Sequence, residues 1–336
     1  MYVMSKFKHF LGIDVSKNFF DAVIILDSQK NKGLHSQFEN NTKGMSKLIK
    51  WMKTYGADNS NTLACLEHTG LYGKIIINQL LVFDFSVWVE MSLKIIRSIG
   101  VQRGKNDKID AQRIAYYAMK NADEAVIYTA PREPVEKTRK LLSLRDKLVG
   151  IRAAMKKQIK ELEGFDKELS KLSSKSLKHT LKAIEKDLAG IEKQIDDLIL
   201  CDENLSRIFK QASSVPGVGR ITTLYLICFT NEFSWYSTPR QLACYCGVVP
   251  FEYTSGKSVR GRPRVHNMAN KTMKKHLHLC AMTAVTYDSE MKQYYTRKVE
   301  EGKNKMLVIN NVRNKLVHRI CACIRENRTF EKRISA

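Results

Sequence analysis

Hydrophobic and polar positions change rhythm twice along the chain. Between residues 8 and 120, short apolar runs alternate with stretches of helical period. FLGIDVS and FFDAVIIL read as neighbouring strands joined by a short turn around Lys17 and Asn18, and GLHSQFEN reads as a third. From Thr42 to Tyr55, Met45, Leu48, Ile49 and Met52 recur at helical spacing. TLACLE and FSVWVE follow as short buried strands, separated by a helix over LYGKIIINQLLVF. NDKIDAQRIAYYAMK opens another helix. This order predicts an α/β domain, placed at residues 1–130.

From residue 134 to 200 the rhythm lengthens. Leu177, Leu181, Ile184, Leu188, Ile191, Ile195 and Leu198 alternate steps of four and three, a heptad seam. A less regular stripe runs through Leu141, Leu144, Leu148, Ile151, Met155, Ile159 and Leu162. The polar stretch KELSKLSSKS between them reads as a hairpin bend. The expectation is an antiparallel coiled-coil arm over 131–203, used for oligomerisation. The remainder, 204–336, reads as a mainly α-helical domain. It begins with Pro216-Gly217-Val218-Gly219 before an apolar helix, a helix-hairpin-helix-like signature. There Gly217 and Gly219 would offer backbone N–H groups to a phosphate, though an ordinary helix connection reads equally well.

Charge narrows the function. Lys plus Arg number 57 against 34 Asp plus Glu, a net +23, which favours a polyanionic partner. No apolar run approaches the roughly 18–20 residues of a bilayer span, and the start has no export signal, so a cytoplasmic protein is expected. The 8 cysteines include no C-x-x-C pair, so neither a disulfide framework nor a zinc ribbon is indicated. From Tyr253 to Tyr287 there is no acidic residue, while Lys257, Arg260, Arg262, Arg264, Lys271, Lys274 and Lys275 are all basic. Close pairs of such charges repel by about 1 kcal/mol even in water-like surroundings. The segment therefore reads as a loop held against nucleic acid. Ser92–Asn106 is similar, with Lys94, Arg97, Arg103 and Lys105 and no acid.

Four acids stand out against this background. Asp14 and Glu67 close two of the strand runs, and Asp107 and Asp110 open a helix three positions apart, on one face. In an RNase H-like sheet, strand ends and an adjacent helix converge on one edge. Carboxylates gathered there suit divalent cations placed where phosphates are drawn in. Taken singly, each acid reads as a cap or a solvated charge.

Five motifs tie these features together: GIDVSK at Gly12–Lys17, EHTG at Glu67–Gly70, KNDKID at Lys105–Asp110, VPGVG at Val215–Gly219, and GVVP followed by SGKSVRG at Ser255–Gly261. In this order and spacing the chain resembles the insertion-sequence transposases that join a RuvC-like DEDD domain to a serine-bearing transposase domain. Pilin-gene DNA invertases belong to the same group, as do bridge-RNA-guided recombinases. The resemblance implies that Asp14, Glu67, Asp107 and Asp110 hold Mg²⁺ or Mn²⁺. It implies that Ser255 is the nucleophile joined covalently to a DNA 5′-phosphate. It also implies donor and target DNA as substrates and a structured non-coding guide RNA as partner. Synapsis would use a homo-oligomer, a dimer or tetramer, in which one subunit's serine domain completes another's acidic site. The chain departs from its relatives downstream of the serine, with Ala269-Asn270 and Met273-Lys274 where Gly-Asn and Leu-Arg are common.

The residues alone leave two other readings open. One is a metal-dependent nuclease or junction resolvase in which water attacks and Ser255 is a turn residue. The other is a non-catalytic nucleic-acid-binding protein whose acids are structural.

Overall fold

Three antiparallel strands begin the chain: β1 (His9–Val15), β2 (Phe19–Ile25) and β3 (Gly33–Glu39). After α1 (Thr42–Lys53), strand β4 (Thr62–Glu67) pairs with β1 in parallel. After α2 (Leu71–Val82), β5 (Ser86–Glu90) pairs with β4 in parallel. Helices α3 (Ser92–Ile99) and α4 (Asp107–Lys120) complete the set. The sheet order is β3-β2-β1-β4-β5, the arrangement expected of an RNase H-like domain. This computed structural model describes residues 7–27, 32–68, 70–100, 106–255 and 259–331. It separates into two compact units, Met1–Ala130 and Pro131–Ala336.

The sheet of the first unit is covered on both faces, which is why β2 and β4 read as nearly continuous apolar runs. Leu11, Ile13, Ala64 and Leu66 pack with Met45, Leu48 and Met52 of α1 and Ile76 and Leu80 of α2. The intervening residues Phe10, Leu63 and Cys65 turn the other way, onto Ala111, Ile114, Ala115 and Ala118 of α4. Gly12 lies on that second face. A Cβ built there would come within 2.3 Å of the Ala111 carbonyl oxygen and 2.3 Å of the Ala115 nitrogen. Only glycine lets α4 sit this close to β1.

In the second unit, α5 (Glu133–Glu163) and α6 (Lys167–Cys201) run antiparallel. Arg145 bonds Glu192 at 2.8 Å near one end, and Ser170 donates to the Ile159 carbonyl at 3.1 Å near the other. The bend differs from the expectation. KELSKLSSKS is helical, and the chain reverses one step earlier, over Gly164–Asp166. Asp166 caps α6 by accepting from the Glu168 and Leu169 nitrogens, so the polar run continues as an exposed helix rather than a turn. Ile184, Leu188, Ile191 and Ile195 of the seam are buried, whereas Leu144 and Ile151 of the α5 stripe are each 47% exposed.

The rest of this unit is helical: α7 (Glu203–Ser213), α8 (Arg220–Thr230), α9 (Pro239–Tyr245), α10 (Lys271–Tyr287), α11 (Ser289–Glu300) and α12 (Lys305–Arg325). The exception is the basic segment expected to be a loop. Its first half holds two antiparallel strands, β6 (Phe251–Ser255) against β7 (Val259–Arg264), and its second half is α10. Aromatic, Thr and Val positions favour an extended chain, and cross-strand pairing satisfies its backbone.

Candidate active site

Asp14 and Glu67 occupy neighbouring strand ends. The parallel register pairs Ile13 with Leu66, so the next residues, Asp14 and Glu67, lie side by side. Alternation puts Asp14 on the Gly12 face and Glu67 on the Leu63 and Cys65 face, both towards α4. Helix α4 starts at Asp107 because Asn106 accepts from the Ile109 nitrogen at 2.8 Å. The contact at Gly12 clamps Ala111 onto β1 and so holds the first turn, with Asp107 and Asp110, beside the strand ends.

The electrostatics agree with this placement. The half-buried Asp14 carboxyl is pushed up to about 6, first by burial and then by the negative charges of Asp107, Asp110 and Glu67. Glu67 accepts from the Ser92 hydroxyl at 2.6 Å, and Asp110 accepts from Arg113 at 2.8 Å. Among the described residues, no three acids, histidines or cysteines stand close enough to form a ready-made metal site. Four carboxylates without a cation repel one another, and Ser92 and Arg113 each occupy one oxygen. The donor set nevertheless suits a hard cation such as Mg²⁺ or Mn²⁺, because it is all carboxylate. The raised Asp14 carboxyl reflects burial first and neighbouring negative charge second, and a cation would relieve the second.

Sequence reasoning missed three partners. Asp21 is 5% exposed and pairs directly with Asp14 across the β1–β2 ladder. The short turn between Val15 and Phe19 fixes that register, so a lone acid inside FFDAVII was the available signal. Ser92 and Arg113 carried none, since each meets its acid only through tertiary packing. Nearby, Glu90 at the end of β5 accepts from Tyr117 and Lys94, each at 3.0 Å.

The remaining expected residues fall elsewhere. Arg103, Lys105 and Lys257 lie outside the described residues. Ser255 ends β6 opposite Val259, Arg260 pairs with Thr254, Arg262 lies on β7, and Arg264 pairs with Phe251. Lys271 and Lys275 are exposed and Lys274 half-buried in the opening turns of α10, which Asn270 caps and which hold no acid. Cations at a helix N-terminus work against its dipole, an arrangement that an anion would relieve. Gly217 adopts φ +85°, and a Cβ there would approach the Cys280 carbonyl and Ala284 Cβ at 2.7 Å, so it serves packing against α10. Gly219 is exposed at the N-cap of α8, with open space around it.

Residues 11–162 match the DEDD transposase family of IS110 elements, and residues 210–296 match the IS116/IS110/IS902 transposase family. The chain carries both transposase domains of the IS110/IS116 elements. This transposase is 26% identical over 331 residues to the pilin gene-inverting protein of Moraxella bovis, across 97% of its own length and 99% of that protein's. It is 27% identical over 227 residues to the transposase of insertion sequence IS1111A from Coxiella burnetii, covering 54% and 61% of the two chains. An IS110 protein of Streptomyces coelicolor is 26% identical over 161 residues, 48% of this chain and 38% of that one. The transposase therefore acts as an enzyme of DNA strand breakage and rejoining. Among the described residues no helix is long and apolar enough to cross a membrane.

Proposed function

We propose that this transposase cuts and rejoins DNA through a covalent 5′-phosphoserine at Ser255, with a divalent cation held by Asp14, Glu67, Asp107 and Asp110. The observation that carries the metal half is the Asp14 carboxyl, lifted to about 6 among three other acids. A bound Mg²⁺ or Mn²⁺ supplies charge stabilisation at phosphate oxygens and lowers the cost of ionising a hydroxyl.

The serine half rests on the motif match and on the basic hairpin. Oγ of Ser255 loses its proton and forms a bond to phosphorus while the bond from phosphorus to the 3′-oxygen breaks. The freed 3′-oxygen takes up a proton. Rejoining reverses this with the 3′-hydroxyl of the other strand, so bond energy is kept and no nucleotide cofactor is consumed. Arg260, Arg262 and Arg264 hold phosphate oxygens, with Lys257, Lys271, Lys274, Lys275, Arg103, Lys105 and the Gly219 backbone gripping the flanking strands. Donor and target DNA are selected by a structured guide RNA. The acids of one subunit are completed by the serine domain of another in a tetramer, inside the cytoplasm. The working division is an N-terminal catalytic domain, an arm over 131–203 and a serine domain from 204.

Denaturing electrophoresis of reactions on a labelled recombination substrate tests this reading. Wild type leaves protein attached to the 5′ end of DNA, while Ser255→Ala and Asp14→Asn leave none. Strand cleavage that persists in Ser255→Ala would assign the protein to the water-using nucleases instead.

A further inference from the structure

We propose that the distal half of the α5–α6 arm is a second DNA-binding site, which grips the phosphate backbone of duplex DNA without reading bases. A groove of about 1030 Å³ there is lined by Lys156, Lys167, Lys171, Lys175, Lys178 and Lys182. The last five follow steps of four, four, three and four on one face of α6, and every one of the six is exposed. From Leu169 to Ile184 there is no acidic residue. The groove also holds two acids, Glu163 and Glu185, of which Glu185 is taken up by Lys156 at 3.0 Å; among the described residues Lys171, Lys175, Lys178 and Lys182 form no ion pair.

This pattern is costly unless something negative covers it. Like charges three or four positions apart on a helix disfavour it by about 0.2–0.5 kcal/mol per pair. An ordinary solvated helix face interleaves acids with its lysines, as the proximal arm does with Lys137 and Glu133 at 2.6 Å and Lys140 and Glu136 at 3.5 Å. The lining also selects the partner. It contains Lys, Ser, Glu and one Leu, and no aromatic ring, arginine or amide side chain. Single strands are held by stacking on aromatic rings, and bases are read by arginine and amide groups. Lysines in excess over the two acids, with serine hydroxyls between them, suit a duplex backbone. The row from Lys167 to Lys182 spans about 22 Å of helix at about 1.5 Å per residue. That is shorter than one turn of duplex, about 34 Å, so a straight helix can follow one groove edge. The inference uses the family's action on DNA and is independent of the chemistry assigned to the acids and Ser255.

The test is equilibrium binding of the full chain to a duplex of about 30 base pairs, lacking any recombination site, over a series of salt concentrations. Replacing Lys171, Lys175, Lys178 and Lys182 together by Gln should weaken binding at least about tenfold and make the salt slope shallower by about 2–4. The melting temperature should stay level or rise, because the repulsion is removed. A matched variant carrying Gln at Lys140, Lys147, Lys157 and Lys160 of α5 should change affinity less than about threefold. Equal losses in both variants, unchanged binding in the first, or a loss confined to duplex RNA would each overturn the proposal. Cleavage by Ser255→Ala is a separate readout, so failure here is distinct from failure of the phosphoserine reading.

Discussion

Asp14 and Asp21 stand opposite each other in the β1–β2 ladder, yet their carboxylates meet different surroundings. Asp21 bonds the His35 ring at 2.6 Å and accepts from Gln37 at 3.0 Å. Asp14 instead meets Asp107, Asp110 and Glu67. A carboxylate with hydrogen-bond partners stabilises the sheet, whereas one buried among other acids is driven towards its protonated form.

The folded Asp14 carboxyl titrates near 6 instead of its ordinary 3.8, so between those values the folded state binds more protons than the unfolded one. Stability of the cation-free protein therefore falls as pH rises through that window, by about 1–2 kcal/mol once partial exposure is discounted. Asp14→Asn should flatten this fall and gain about 1 kcal/mol at pH ~8. Urea unfolding at pH ~4.5 and ~8 measures both, and a variant weaker than wild type at the higher pH would refute the repulsion.

Cation binding is checked without activity. Mg²⁺ or Mn²⁺ at a hundredfold excess over its dissociation constant should stabilise the wild type by about 2.7 kcal/mol and leave Asp14→Asn nearly unmoved. Thermal melts with and without metal report this, and equal shifts in the two proteins would remove the metal site.

Ser92 orients Glu67 through its 2.6 Å hydrogen bond. Ser92→Ala should weaken metal affinity about tenfold while stability without metal changes by less than about 1 kcal/mol. A melting titration against Mn²⁺ separates the two effects. Unchanged affinity would make the bond incidental.

Gly12→Ala places a methyl group 2.3 Å from two backbone atoms of α4, neither of which can rotate away. We expect a loss of about 3 kcal/mol or more, with the metal-induced shift abolished. Gly150→Ala is the contrast. It lies inside α5 with nothing within 4 Å and should stabilise the protein by about 0.5–1 kcal/mol. Calorimetry on the two variants decides whether α4 must touch β1.

Much of this protein was legible from local pattern. The alternation in HFLGIDV and TLACLE, with acids at the ends, follows from chain geometry of period two. The 3.6-residue period places Asp107 and Asp110 together on α4. Excess charge pointed to a polyanionic partner, and the resemblance carried by the five motifs implied a DNA-acting enzyme.

Other features were decided only when distant segments packed. The parallel register that sets Asp14 beside Glu67 depends on which core faces match, and no local signal specifies it. The seating of α4 on Gly12 and the pairing of Ser92 with Glu67 are likewise tertiary. The first half of the basic stretch became the β6–β7 pair because its backbone found cross-strand partners, and the arm turned at Gly164–Asp166 because Asp166 could cap the next helix. Local propensity chooses among conformations that differ by tenths of a kcal/mol, whereas burial and backbone satisfaction are worth several, so the long-range terms prevail where the two disagree.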